Sequence, residues 1–165
     1  MAILLTSFTT WLPHQESNAA DDLLAIVQQQ NPDHVYLRKL PVETASASQI
    51  AIARIAQVRP QAIFCCGMAE SRTFLSIEEI ATHQHSCIQT TVDLRQLHSQ
   101  LSNTYISYDA GKFVCEGLYF QVLSYLQSNN LDIPCIFVHV PLLTSNSKSQ
   151  ILPDFQRILD YLANL

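Results

Sequence analysis

Short apolar runs alternate with amphipathic segments along this 165-residue chain, and this alternation restricts its fold more than any other feature. The apolar runs have the composition of buried strands, and the segments between them repeat their apolar residues at helical spacing. Strands that alternate with helices predict a three-layer αβα sandwich of the phosphorylase/hydrolase-like kind, with a largely parallel or mixed central sheet. We expect residues 1–165 to form one domain, which is an ordinary domain length.

The same pattern predicts where the strands and helices lie. Strands are expected over 2–7, 34–40, 62–66, 105–108 and 133–140. Helices are expected over 19–30, 46–58, 93–101, 112–127 and 150–164. Ser17 or Asn18 is a candidate cap for the first helix, and Ser46 with Gln49 three residues later predicts a capping box for the second. Residues 67–91 have no regular pattern.

Composition argues against several classes of partner. Hydrophobic residues make up 48% and charged residues 14% of the chain, and the net charge is -5. The nine basic residues form no cluster, so we expect no binding to nucleic acid. No apolar stretch is long enough for a membrane span, and the N-terminal run is too short for a signal peptide. We therefore expect a cytoplasmic protein that does not bind membranes.

Cysteine and glycine usage argues against metals and nucleotide cofactors. The five cysteines are odd in number and lack Cys-x-x-Cys spacing, so reduced thiols and no metal site are expected. Three glycines, at 67, 111 and 117, are too few for a dinucleotide fingerprint or a phosphate loop. We therefore expect no cofactor.

Three residues near predicted strand ends have the chemistry of a nucleophilic site. Cys115 follows a strand and a turn and falls in the first turn of a helix, where the helix dipole favours a thiolate. His139 ends an apolar strand, and Glu78 lies in the irregular segment. From position alone, each residue is more typical of ordinary core or surface packing than of a site, and five other histidines are rival bases. Together they supply a nucleophile, a base and an orienting carboxylate.

Three motifs, in chain order, resemble the pyroglutamyl peptidases, which are also called pyrrolidone carboxyl peptidases. Segment 107–115, Ser-Tyr-Asp-Ala-Gly-Lys-Phe-Val-Cys, resembles the family's Ser-x-x-Ala-Gly-x-x-x-Cys segment around its nucleophile. Segment 137–141, Phe-Val-His-Val-Pro, resembles the family's histidine segment. Segment 67–72, Gly-Met-Ala-Glu-Ser-Arg, followed by Glu-Glu-Ile-Ala from position 78, resembles the segment that carries the family's third catalytic residue.

The resemblance implies roles for seven residues. Cys115, His139 and Glu78 match the family's nucleophile, base and orienting carboxylate. In the family, the first loop helps to hold the pyroglutamyl ring. Here that role would fall to Phe8 and Trp11, with hydrogen bonds from Asn18 and the backbone at Met68. The resemblance implies a small peptide substrate with a blocked N-terminus, and the family's oligomeric assembly is left open for this chain.

The chain also departs from the family pattern. The first loop lacks the family's glycines, and Glu116 follows the cysteine where the family has asparagine, so a carboxylate near the thiol would raise its pKa. The family's arginine near the oxyanion site is missing, and Ile88 stands about where it would fall. Losing one oxyanion donor typically lowers the rate ~10²–10³-fold. Two alternatives therefore stay open beside pyroglutamyl peptidase activity: a thiol amidase with another acyl specificity, and a homologue with weakened or no catalysis.

Overall fold

The computed structural model describes residues 2–165, in which eight strands and five helices follow one another. The strands are β1 (Ile3–Phe8), β2 (Val35–Leu40), β3 (Ala62–Met68), β4 (Leu75–Glu78), β5 (Ile80–His83), β6 (Ser86–Gln89), β7 (Thr104–Ser107) and β8 (Cys135–Val140). The helices are α1 (Ala19–Gln30), α2 (Thr44–Val58), α3 (Leu94–His98), α4 (Val114–Ser128) and α5 (Ser145–Ala163).

Six strands form one mixed sheet in the order β2-β1-β3-β8-β4-β7. The first four of these are parallel to one another, whereas β4 runs antiparallel to β8 and parallel to β7. The strands β5 and β6 form a separate antiparallel pair. A largely parallel sheet with a reversed pair at one edge confirms the predicted fold class.

Helices cover both faces of this sheet and give it two cores. On one face, α1, α3 and α5 pack against apolar residues such as Phe64 and Val138. On the other face, α2 and α4 pack against Leu4, Cys65 and Phe137. Successive residues of a strand point to opposite faces, so both cores draw on the same central strands β3 and β8. Strands that are covered on both faces have continuous apolar sequences. Accordingly, every residue of β3 and β8 is buried.

The structure corrects three predictions about local elements. The cap of α2 is Glu43, whose carboxylate accepts from the N–H groups of Ala45 and Ser46, each at 2.8 Å, so the capping box at Ser46 was wrong. Helix α5 begins at Ser145 after the Thr144 capping box, and Pro153 lies within the helix. Segment 67–91 contains three short strands, which are too brief for a sequence pattern to reveal. Asn18 caps α1, as expected for one of the two candidates.

No helix within residues 2–165 combines the length and the apolar character needed to cross a membrane. All five cysteines are free thiols.

Candidate active site

A cavity of about 340 Å³ opens at the carboxyl ends of β3 and β8. Six of the seven predicted site residues line it: Phe8, Trp11, Asn18, Met68, Cys115 and His139. The seventh, Glu78, has no exposed surface and lies behind His139, to which it is hydrogen-bonded. The structure therefore brings together residues that are distant in the sequence, and the roles predicted for them remain predictions.

Sheet register brings the Cys115 thiol close to the strand that carries His139. In β3 and β8, Gly67 and His139 are paired, so their side-chain positions share one face of the sheet. The space in which a Cβ at position 67 would stand is occupied by the Sγ of Cys115. Because adjacent strands are about 4.8 Å apart, the sulfur lies one strand away from the residue that carries the imidazole, on the same face of the sheet. The hydrogen bonds within residues 2–165 do not include one between these two side chains, and such bonds often form fully only when substrate is bound.

Glu78 fixes which nitrogen of His139 carries the proton. The distance from Nδ1 of His139 to Oε1 of Glu78 is 2.7 Å. An ionised carboxylate can only accept hydrogen bonds, so Nδ1–H donates to it and Nε2 keeps its lone pair. The Phe137 ring, whose centroid is 4.9 Å from that of the imidazole, packs beside it. The imidazole is therefore oriented as a base whose free nitrogen is Nε2.

Burial makes His139 a neutral imidazole in the folded protein. Desolvation lowers the pKa of His139, and the nearby Arg72 charge lowers it further, whereas Glu78 and Asp109 oppose this shift. The pKa lies below its ordinary value of 6.5 as a result. At neutral pH the ring can therefore accept a proton.

The protonation of Cys115 differs from the sequence prediction. A cysteine at a helix start favours the thiolate, but burial, followed by the Glu78 charge, raises the pKa of Cys115 to about 12. Arg72 and the backbone N–H of Cys115 lower it by less. Desolvation of the thiolate thus outweighs the helix dipole, because the sulfur is packed closely against Gly67. The resting form is the thiol.

Glu116 has no part in this shift, contrary to the concern raised by its position. Its Oε1 accepts hydrogen bonds from the backbone N–H of Thr82, at 3.1 Å, and from the Thr82 hydroxyl. Consecutive helix residues do not face each other, so the Glu116 carboxylate points to β5 while the thiol points to β3. These hydrogen bonds attach the β5–β6 hairpin to α4.

The start of α4 offers backbone donors beside the thiol. Phe113 is the cap residue of this helix and makes no side-chain capping hydrogen bond. Cys115 is the second residue of the helix, where a backbone N–H has no partner within the helix. These N–H groups can stabilise negative charge on an oxygen next to the sulfur.

The outer wall of the cavity is aromatic and is held by polar contacts of the first loop. The rings of Trp11 and Phe113 approach to 6.1 Å between centroids. Gln15 accepts from the N–H of Trp11 at 2.9 Å and donates to Glu70 at 2.6 Å. His14 also contacts Glu70, at 3.3 Å. The loop that carries Trp11 is thus attached to the segment after β3.

Two predicted ring-binding groups have different surroundings. The Oδ1 of Asn18 accepts from the N–H groups of Ala20 and Asp21, and its Nδ2 donates to the carbonyl of Thr9 at 3.3 Å. Its amide is therefore engaged in capping α1. The side chain of Met68 packs against the start of the same helix, where its sulfur accepts from the N–H of Ala19 at 3.2 Å.

Arg72 lies in the sequence motif 67–72, but that motif predicts no role for it. The guanidinium contacts Ser76, Glu78 and the carbonyl of Asp109. The one sequence feature that could have indicated a role is that Arg72 stands six residues before the candidate carboxylate Glu78. Within the described part of the chain, no three His, Cys, Asp or Glu side chains converge as a metal site would require.

Comparison with known proteins supports a distant relationship over most of the chain. No protein-family model matches it. It is 25% identical to pyrrolidone-carboxylate peptidase 2 of Caldanaerobacter subterraneus subsp. tengcongensis, over 87% of this chain and 82% of that protein. It is 23% identical to a pyrrolidone-carboxylate peptidase of Streptococcus pneumoniae, over 86% of this chain and 78% of that protein.

Solved structures show the same fold. A mutant pyrrolidone carboxyl peptidase from Pyrococcus furiosus superimposes with a TM-score of 0.83 and 17% identity, covering 99% of each chain. The pyroglutamyl peptidase I of Bacillus amyloliquefaciens gives a TM-score of 0.78 and 17% identity, covering 98% of this chain and 92% of that one. The resemblance seen in the sequence motifs is confirmed: the chain is a distant relative of the pyrrolidone carboxyl peptidases.

Proposed function

From this distant relationship, we propose that the chain is a cysteine peptidase that removes N-terminal pyroglutamyl residues from peptides. The observation that carries the proposal is the hydrogen bond to the buried Glu78 from His139, which lines the same cavity as Cys115. A nucleophile, a base and an orienting carboxylate are the set that acyl transfer requires.

The mechanism begins with a neutral pair. Because the thiol has a raised pKa and the imidazole is neutral, Nε2 of His139 removes the proton as the sulfur attacks the amide carbonyl. The backbone N–H of Cys115 donates to the developing oxyanion. The imidazolium then protonates the leaving amine as the C–N bond breaks. Water, deprotonated by the same imidazole, hydrolyses the acyl-enzyme, releases pyroglutamate and restores the thiol.

The cavity favours an uncharged acyl group. Apolar side chains such as Phe8, Trp11 and Phe113 dominate its lining, and the one charged residue among them is Glu70. A lactam ring has no charge to desolvate, whereas a glutamyl carboxylate would lose its hydration next to a second carboxylate. The N–H of Ala69 donates to the carbonyl of Val140 on β8 at 2.9 Å. The backbone polar groups of successive residues in a strand point to opposite sides, so those of Met68 point toward β1. They can therefore form hydrogen bonds to the lactam.

A reporter panel tests this proposal. Purified protein is expected to release aminomethylcoumarin from the pyroglutamyl amide in preference to the prolyl, alanyl and glutamyl amides. Cys115→Ala should abolish release, because the nucleophile is gone. The matched control is Cys87→Ala, which removes an exposed thiol outside the cavity and should keep full activity. Wild-type protein that hydrolyses none of these amides between pH 5 and pH 9 would contradict the proposal.

A thiol amidase with another neutral acyl specificity is the second candidate. It is favoured by Asn18, whose amide caps α1 and is not free for a lactam, and by the Trp11–Phe113 wall in a loop without the family's glycines. The same panel separates the two, because this candidate predicts that another uncharged acyl amide is cleaved faster than the pyroglutamyl amide.

A further inference from the structure

Arg72 connects three parts of the candidate active site. It lies between β3 and β4, with 18% of its side chain exposed. Its Nη1 donates to the Ser76 hydroxyl and to Oε1 of Glu78, and its Nη2 donates to the carbonyl of Asp109 at 2.8 Å. The guanidinium also lies 6.0 Å from the centre of the Tyr105 ring. A planar donor fork can hold separate acceptors at fixed angles in this way.

The first connection concerns charge. Oε1 of Glu78 accepts from both Arg72 and Nδ1 of His139, and the whole Glu78 side chain is buried. A carboxylate without solvent tends to take up a proton unless a cation lies beside it. The guanidinium supplies that positive charge and leaves the carboxylate free to accept from the imidazole.

The second connection concerns the nucleophile. The carbonyl of Asp109 begins the turn between β7 and α4, and the Asp109 side chain closes it by accepting from the N–H of Gly111 at 2.9 Å. Cys115 follows at the start of α4. One guanidinium therefore holds both the orienting carboxylate and the turn that delivers the thiol.

We propose that Arg72 is a positioning residue that holds the Glu78 carboxylate against His139 and ties this pair to the turn before Cys115. The proposal rests on the proposed function for the roles of the thiol and the imidazole. Its electrostatic part concerns the protein alone and can be measured without substrate.

The surroundings of the Glu78–His139 pair define the expected effect. The ionisable groups that face the pair are Arg72, Asp109, Cys115 and Tyr119, and Arg72 is the one permanent cation among them. The Arg72 charge lowers the pKa of His139, so without it the imidazole would bind a proton more readily. The titration midpoint of His139 should therefore move upward by about one to two pH units when this charge is removed.

The test is a histidine titration by NMR in Arg72→Gln, Arg72→Lys and wild-type protein. The Cε1–H signal of His139 is assigned by its loss in His139→Gln. We expect a higher midpoint in Arg72→Gln and a midpoint near the wild-type value in Arg72→Lys, which keeps the charge. The matched control is Arg54→Gln on an exposed face of α2, which should titrate as wild type. A folded Arg72→Gln protein with the wild-type midpoint would overturn the proposal.

Two further measurements test the proposal if Arg72→Gln does not fold and separate it from the proposed function. If Arg72→Gln does not fold, the wild-type Arg72 Nε–H signal should shift with the same midpoint as His139, and an invariant signal would overturn the proposal. The pyroglutamyl amide assay is scored separately. Wild-type protein without turnover, but with the raised midpoint in Arg72→Gln, would contradict the proposed function and support the assignment of Arg72.

Discussion

The sulfur of Cys115 lies where a side chain at Gly67 would stand. A Cβ built at position 67 would overlap the Sγ and would approach Cζ of Phe137 to 3.0 Å. The glycine is therefore required by a close approach of α4 to β3, and its φ is not in the left-handed region. Since Gly67 is the register partner of His139, this close approach places the thiol over the position next to His139 on the same face of the sheet.

We predict that Gly67→Ala displaces the thiol and impairs hydrolysis of the pyroglutamyl amide. A displacement of about 1 Å can lower kcat/KM by about 10²-fold, and overpacking should cost ~1–3 kcal/mol of unfolding free energy. Gly117→Ala is the matched control, because its added methyl meets the side chain of Thr44 on α2 and not the thiol. We expect the two variants to lose similar amounts of unfolding free energy, whereas only Gly67→Ala should lose activity. Full activity in Gly67→Ala would refute this geometry.

Position and motif resemblance together could predict the chemistry of the site, but not its electrostatics. The sequence shows that Cys115 begins a helix, where the dipole favours a thiolate. It does not show that the sulfur is pressed against Gly67, where desolvation raises the pKa. Such a contact depends on how α4 packs on β3, and this packing joins residues 48 positions apart.

The surroundings of Glu78 were also beyond sequence patterns. Its strand has four residues, all of them buried, so it lacks the alternation that identifies a half-exposed strand. Because β4 is antiparallel to β8, Glu78 pairs with Phe137 and not with a residue at the carboxyl end of β8. Glu78 therefore lies below the cavity. The rule that sites lie at the carboxyl ends of strands therefore accounts for His139 but not for Glu78.

A second prediction concerns the reactivity of Cys115 toward iodoacetamide. Because its pKa is raised to about 12, alkylation at pH 7 should be roughly 10- to 10³-fold slower than at the exposed Cys87, and it should accelerate far into the alkaline range. Mass spectrometry of the two cysteine peptides measures both rates in one sample. Faster labelling of Cys115 than of Cys87 at neutral pH would indicate a preformed thiolate and contradict the neutral-pair mechanism.

A third prediction concerns the loop that carries the aromatic wall. Gln15 accepts from the N–H groups of Trp11 and Leu12 and donates to Glu70. Gln15→Ala should free this loop and raise KM about tenfold, equivalent to the ~1.4 kcal/mol expected for lost hydrogen bonds, with little change in kcat. The control is Gln57→Ala, which removes an exposed amide on α2. A large fall in kcat at constant KM would argue against a role confined to the wall.

The last prediction concerns the dependence of stability on pH. Burial lowers the pKa of His139, so the unfolded chain binds a proton near pH 6.5 that the folded protein binds only at lower pH. The unfolding free energy should therefore be constant above about pH 7 and fall as pH decreases below 6.5. His34, whose pKa is lowered by burial, contributes in the same direction. Urea titrations from pH 5 to pH 8 should show a smaller slope in His139→Gln and an unchanged slope in His85→Gln, an exposed control. An identical slope in His139→Gln and wild-type protein would show that His139 is not held neutral by burial.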